Sequence, residues 1–179
     1  MAVLLVGVLI VLMFSVFAPL SASKKRGETQ KLLAQMLLER KFVTDAVIDG
    51  GGMSLYVDRI NRQFFVRLSP TDLSCDIHPY EALSGFEVLD DGNRIFSADS
   101  GRITVDFLFS RDGLPLLKKG GSCSSLLVTV RLNGRYAPDL VIPLLREPAS
   151  RYLFTYREAM ESARALAAAF AEIGGCPRP

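Results

Sequence analysis

The chain of 179 residues has one histidine, three cysteines and almost no surplus of either charge, and each shortage removes a class of function. Any Ser-His-Asp or Cys-His nucleophile system would have to be built on His78. His78 stands beside Pro79 in an expected turn and reads as a surface position, while Cys75 would point to the opposite face of a strand. Together the two offer at most two metal ligands, with no second pair at a zinc-binding spacing. Cys75, Cys123 and Cys176 are odd in number and irregularly spaced, unlike a disulfide-stapled scaffold, and read as reduced thiols. Lys and Arg number 21 against 19 Asp and Glu, so the clustered basic excess of a nucleic-acid binder is missing. Gly50-Gly51-Gly52 and Lys119-Gly120-Gly121-Ser122 lack the Gly-x-x-x-x-Gly-Lys-Ser/Thr order of a phosphate loop and read as flexible connections. No cofactor is indicated.

The longest apolar stretch is Met1 to Leu20, free of charged side chains and apolar at nearly every position from Ala2 to Ala18. As a helix it spans roughly 28 Å, close to the hydrocarbon thickness of a bilayer. Lys24, Lys25 and Arg26 follow at once, and nothing basic precedes the run except the amino terminus. Basic flanks stay on the cytoplasmic side, so residues 1–23 are expected to be an uncleaved membrane anchor with the rest of the chain in the cytoplasm, at the plasma or inner membrane. The alternative is cleavage after Ser21-Ala22-Ser23, releasing an envelope-side or secreted binding protein, but a signal peptide wants a basic leader and a shorter apolar core. The remaining 155 or so residues suffice for about one domain with its own core.

Residues 24–49 read as a juxtamembrane amphipathic helix and linker. Leu32, Leu33, Met36 and Leu37 make the apolar stripe over 27–41, which would pack on the domain, lie at the membrane interface or pair with a second copy. From 50 the period shifts to two. Strands are expected at Met53–Ile60, Gln63–Leu68, Leu73–Ile77, Leu83–Leu89, Arg94–Ala98, Arg102–Phe109, Leu126–Leu132 and Leu140–Leu145. Asn61-Arg62, His78-Pro79, Asp90-Asp91-Gly92-Asn93 and Asn133-Gly134 supply turns. Thr155 and Glu158 fit a capping box opening a C-terminal helix that Gly174 ends in a left-handed conformation. Asp72, Asp76, Asp90, Asp91, Asp99, Asp106 and Asp112 are scattered over turns, where solvation explains them; a carboxylate-based hydrolase would need two of them fixed in a cleft. In the long connection Ser110–Ser125, Leu114, Leu116 and Leu117 sit beside Lys118 and Lys119, a candidate contact for a partner or an anionic lipid surface.

Short antiparallel strands followed by one long amphipathic helix predict an α+β domain over 50–179, a curled sheet or barrel capped by its C-terminal helix. By element order this resembles the pleckstrin-homology-like superfold. The stretches Met53-Ser-Leu-Tyr-Val-Asp-Arg and Phe86-Glu-Val-Leu-Asp-Asp-Gly resemble small bacterial membrane-anchored proteins of unknown function. The resemblance covers roughly residues 50–173 and implies a module for protein or lipid-surface binding, with no activity. The expected function is a membrane-tethered, non-enzymatic adaptor or sensor for an unidentified protein partner.

Overall fold

The computed structural model describes residues 27–99, 102–104, 121–133 and 139–175. The expected membrane segment, Lys24, Lys25 and Arg26, and the whole stretch from Leu114 to Lys119 lie outside the described residues. Among the described residues no helix is long and apolar enough to cross a membrane.

The fold is α+β, with antiparallel sheets and a C-terminal helix. Helix α1 covers 27–39, and the strands follow as β1 (Ala46–Gly50), β2 (Met53–Asp58), β3 (Gln63–Arg67), β4 (His78–Pro79), β5 (Leu83–Asp90), β6 (Asn93–Asp99) and β7 (Arg102–Thr104). Then come β8 (Ser122–Cys123), β9 (Leu126–Leu132), β10 (Leu140–Pro143), β11 (Ala149–Ser150) and helix α2 (Phe154–Ile173). They do not close into one barrel. The strands form a four-stranded sheet in the order β1-β2-β3-β4, a five-stranded sheet in the order β10-β9-β5-β6-β7, and a two-stranded ribbon of β11 with β8.

Helix α2 joins the two sheets. Met160, Ala163, Leu166, Ala167 and Phe170 are buried with Leu55, Val57 and Phe64 of the first sheet and Phe86, Val88, Val128, Val130 and Ile142 of the second. The Phe170 ring lies 6.1 Å from Phe64 and 5.7 Å from Phe86, so one side chain touches both sheets. Burying each such ring is worth roughly 1.5–3 kcal/mol. At Gly50 an added Cβ would stand 2.6 Å from the Cβ of Ser162, so only glycine lets the helix cross the end of β1 this closely.

The first sheet is covered on its other face too. Phe65, one residue after core Phe64, turns outward by the strand alternation and meets Phe42 at 5.2 Å and Tyr56 at 4.5 Å. Leu33 and Leu37 of α1, with Cys75, complete this second cluster. The amphipathic helix therefore packs on the domain, and residues 46–49, read as linker, form with Gly50 a full strand paired with β2.

Several local expectations change. Residues 73–77 are not a strand; the pairing falls instead on His78 and Pro79, opposite Phe64 and Gln63. Proline is tolerated there because β4 is the edge of its sheet. His78 is buried, its ring 5.6 Å from that of Phe64, and is not a surface residue. Gly50-Gly51-Gly52 ends β1 and makes the tight β1–β2 turn, with no loose connection. The terminal helix starts at Phe154 with Leu153 as its cap and no side-chain capping bond, so the Thr155/Glu158 capping box does not form. Gly174 stays right-handed at φ −73°, and Gly175 takes the left-handed turn at φ 70°.

Candidate functional site

The Asp90–Asn93 turn behaves as its sequence dictates. Asp91 and Gly92 have φ of 50° and 77°, the two-residue turn with positive φ at both central positions, and Asp90 pairs with Asn93. What surrounds it was not expected. Asp90 is fully buried, and both of its carboxylate oxygens are engaged. Oδ1 accepts from the guanidinium of Arg151, and Oδ2 accepts from the Tyr156 hydroxyl at 2.6 Å. The reading of Asp90 as a solvated turn residue is thereby corrected; a buried carboxylate survives only where charge and hydrogen bonds replace the lost water.

Asp91 extends the network. Its Oδ1 accepts from the backbone N–H groups of Ser124 and Ser125 at 2.7 and 2.9 Å, and its Oδ2 from Arg151 at 2.9 Å. Arg151 also donates to the Ser122 carbonyl at 3.0 Å and lies over the Tyr156 ring, 5.9 Å from its centroid. Burial would raise the Asp91 carboxyl, but the bonds from Ser125, Ser124 and Arg151 hold it below the usual range. The bond to Asp90 pushes Arg151 up against the opposing effect of burial. Burial, then Asp90, pushes the Tyr156 hydroxyl up.

Cys123 lies in the same cluster, its sulfur within 4.8 Å of the carboxylate oxygens of Asp90 and Asp91. Three such groups invite a metal reading, and two adjacent acids revive the carboxylate-hydrolase one. Neither fits the geometry. Arg151 already supplies the positive charge between the two acids, and Asp90 has no lone pair facing an open cleft. Burial, then Asp90 and Asp91, pushes the Cys123 thiol up to about 12, far from a thiolate ligand or nucleophile. The arrangement holds chain segments together.

The segments it holds flank an exposed apolar tripeptide. Arg151 and Tyr156, both gripped by Asp90, stand on either side of Tyr152, Leu153 and Phe154, which are 74%, 55% and 70% exposed. Leu153 is also the cap of α2, where Ser, Thr, Asp or Asn would satisfy a free N–H and Leu satisfies none. A short turn, Leu153 N–H to the Ser150 carbonyl at 2.9 Å, fixes the loop further. Three large side chains thus stand in water on a segment bonded at both ends to Asp90.

Beside them lies a cleft of about 630 Å³ between the β10–β11 connection and the first turns of α2. Arg146, Glu147, Leu153, Thr155, Glu158 and Ser162 are among its walls. Its volume suits a ligand or an inserted side-chain cluster.

None of the residues singled out in the sequence as partner-binding, from Leu114 to Lys119, falls among the described residues, nor do Asp106, Asp112 and Cys176. Asp72 serves its own turn, accepting from Ser74, and Asp99 pairs with Arg131. Tyr152–Phe154 was missed because Thr155 and Glu158 drew the helix start past it. The usable signal was three large apolar residues at a helix start that lacks a polar cap. Comparison with protein-family models, with curated proteins and with solved structures finds no match to this chain.

Proposed function

We propose that this chain is a membrane-tethered, non-enzymatic binding module whose partner is a protein that buries Tyr152, Leu153 and Phe154. The observation that carries this reading is the clamped apolar tripeptide: an exposed patch costs solubility, and the Asp90–Arg151–Tyr156 frame holds it ready to bind without further ordering. A leucine at the helix cap points the same way, because it forgoes helix stability for exposed apolar surface. In this reading residues 1–23 are the tether, with Lys24, Lys25 and Arg26 on the cytoplasmic side. The two sheets are the halves of an incompletely closed, PH-like barrel across α2. The Leu114–Lys119 connection is an additional contact for the partner or the lipid surface.

The test is capture from membranes with the full chain in mild detergent, comparing it with a Leu153→Asp/Phe154→Asp variant. A partner held by the parent chain and released by the variant supports the reading; a partner held equally by both sinks it. In intact cells, single cysteines in the domain of a Cys-free chain are expected to resist a membrane-impermeant thiol reagent. Labelling would move the domain to the envelope side.

A further inference from the structure

Resting on the tether in that reading, we propose that α1 docks the domain onto the anionic lipid surface, lying between the sheet it covers and the bilayer. Its inner side is taken by the fold: Leu33 and Leu37 are buried with Phe42, Phe65 and Cys75. Among the described residues nothing covers the opposite side. Lys31, Gln35 and Leu38 recur at i, i+4 and i+7 and are exposed, so they share the stripe that faces away from the sheet. Leu38 is 78% exposed on the last turn of a helix already packed, where a polar residue would cost nothing.

The end of α1 extends this face. The helix stops with the Phe42 N–H on the Leu37 carbonyl at 2.9 Å and the Lys41 N–H on the Leu38 carbonyl at 3.1 Å. In that turn Lys41 takes φ 57°, a left-handed position that favours glycine or asparagine. An exposed lysine is therefore kept there at a conformational cost. The Asn61 side chain donates to the Lys41 carbonyl at 3.0 Å, which brings the β2–β3 turn alongside and with it Ile60, 71% exposed. Buried Asp58 fixes the join, accepting from the Val43 and Asn61 N–H groups at 2.7 and 2.8 Å.

Charge and chain position select the occupant. Residues 24–43 hold six Lys and Arg against Glu28 and Glu39 alone, whereas residues 44–179 hold 15 against 17 Asp and Glu. The whole basic excess of a nearly neutral chain thus lies in α1 and on either side of it. The apolar run ends at Leu20, seven residues before Gly27 opens the helix, a reach of at most about 25 Å. In the tether reading α1 is the first folded element outside the bilayer. An acidic protein would have to compete with a lipid surface that the tether keeps permanently within reach. Each lysine at an anionic surface favours docking about fivefold, and its long stem lets the charge lie among headgroups while Leu38 enters below them.

The experiment uses the full chain, free of its native cysteines, in lipid nanodiscs of phosphatidylcholine with and without phosphatidylglycerol. A fluorophore on Gln35→Cys is expected to be quenched by nitroxide-labelled headgroups in the anionic discs, to be far less quenched in the neutral ones, and to recover in high salt. The same fluorophore on Val141→Cys, exposed on the edge strand of the five-stranded sheet, should stay bright. Adding Lys31→Glu and Lys41→Glu should abolish the quenching at Gln35→Cys with the urea midpoint unchanged, since both side chains are exposed. Equal quenching at the two label positions, quenching indifferent to lipid charge, or quenching that survives both substitutions overturns the proposal. An inserted chain that stays bright at Gln35→Cys overturns it too, while leaving the tether and the Tyr152–Phe154 reading intact, even where α1 captures an acidic protein instead. A chain that does not enter the discs overturns the tether and this proposal together.

Discussion

At the scale of single residues, the molecule turns on a carboxylate that local sequence describes as ordinary. Asp90 opens an Asp-Asp-Gly-Asn turn, and the turn forms as its residues require. Its burial depends on Arg151 and Tyr156, 61 and 66 positions away, which no window along the chain connects to it. Removing one partner of a buried pair strands the other charge, at a cost of about 3–5 kcal/mol. Arg151→Met is therefore expected to lower the unfolding free energy by that amount in urea titrations, and Asp90→Asn added to it should recover about half, because the stranded charge is gone. A single-substitution loss below about 1 kcal/mol would mean that the pair supports nothing.

At the scale of elements, α2 combines a strong prediction with a local exception. The alanine-rich face from Ala159 to Phe170 was legible from its period, and it is buried between the sheets. The start of the helix was not legible, because the frame around Asp90 decides where the chain enters its first turn. Leu153→Asp places a carboxylate at the uncapped end, with free N–H groups and the positive end of the helix dipole beside it. Thermal unfolding should show a stabilisation of about 1 kcal/mol. Partner capture should weaken in the same variant. An unstabilised protein would show that Leu153 contributes packing that outweighs the missing cap.

At the scale of the whole molecule, buried or heavily bonded titratable groups at several sites act in one direction on acidification. Burial lowers His78 from its ordinary 6.5, only partly offset by the charge of Asp76. For Asp58, burial acts upward, but hydrogen bonds from Asn61, Val43 and Ile60 together bring it below 3.8. Bonds from Ser74 lower Asp72 as well, and Asp91 follows the same direction. A group with a depressed folded value binds its proton more readily when unfolded, so stability is complete above the unfolded value and is lost as pH falls toward the folded one. Urea midpoints are expected to decline first below pH 6.5, through His78, and then more steeply below 3.8, through the three aspartates. His78→Phe, which keeps a ring against Phe64, should remove the first decline and leave the second. An unchanged profile would place the upper titration elsewhere.

The sequence alone determined the class of the domain, the strands Leu83–Asp90 and Leu126–Leu132 nearly to the residue, the Asp91-Gly92 turn and the buried face of α2. These depend on alternation, helical period and backbone sterics, which act between near neighbours. Tertiary structure alone decided the rest. It divided the strands between two sheets, buried His78 and Asp90, and drew 46–50 and α1 onto the domain. It also raised Tyr152, Leu153 and Phe154 into water. The physical reason is common to all of these: whether a polar group can be buried or an apolar one exposed is set by partners brought from far along the chain. Here Arg151 and Tyr156 reach Asp90 because α2 and the segment before it pack against the five-stranded sheet that carries it.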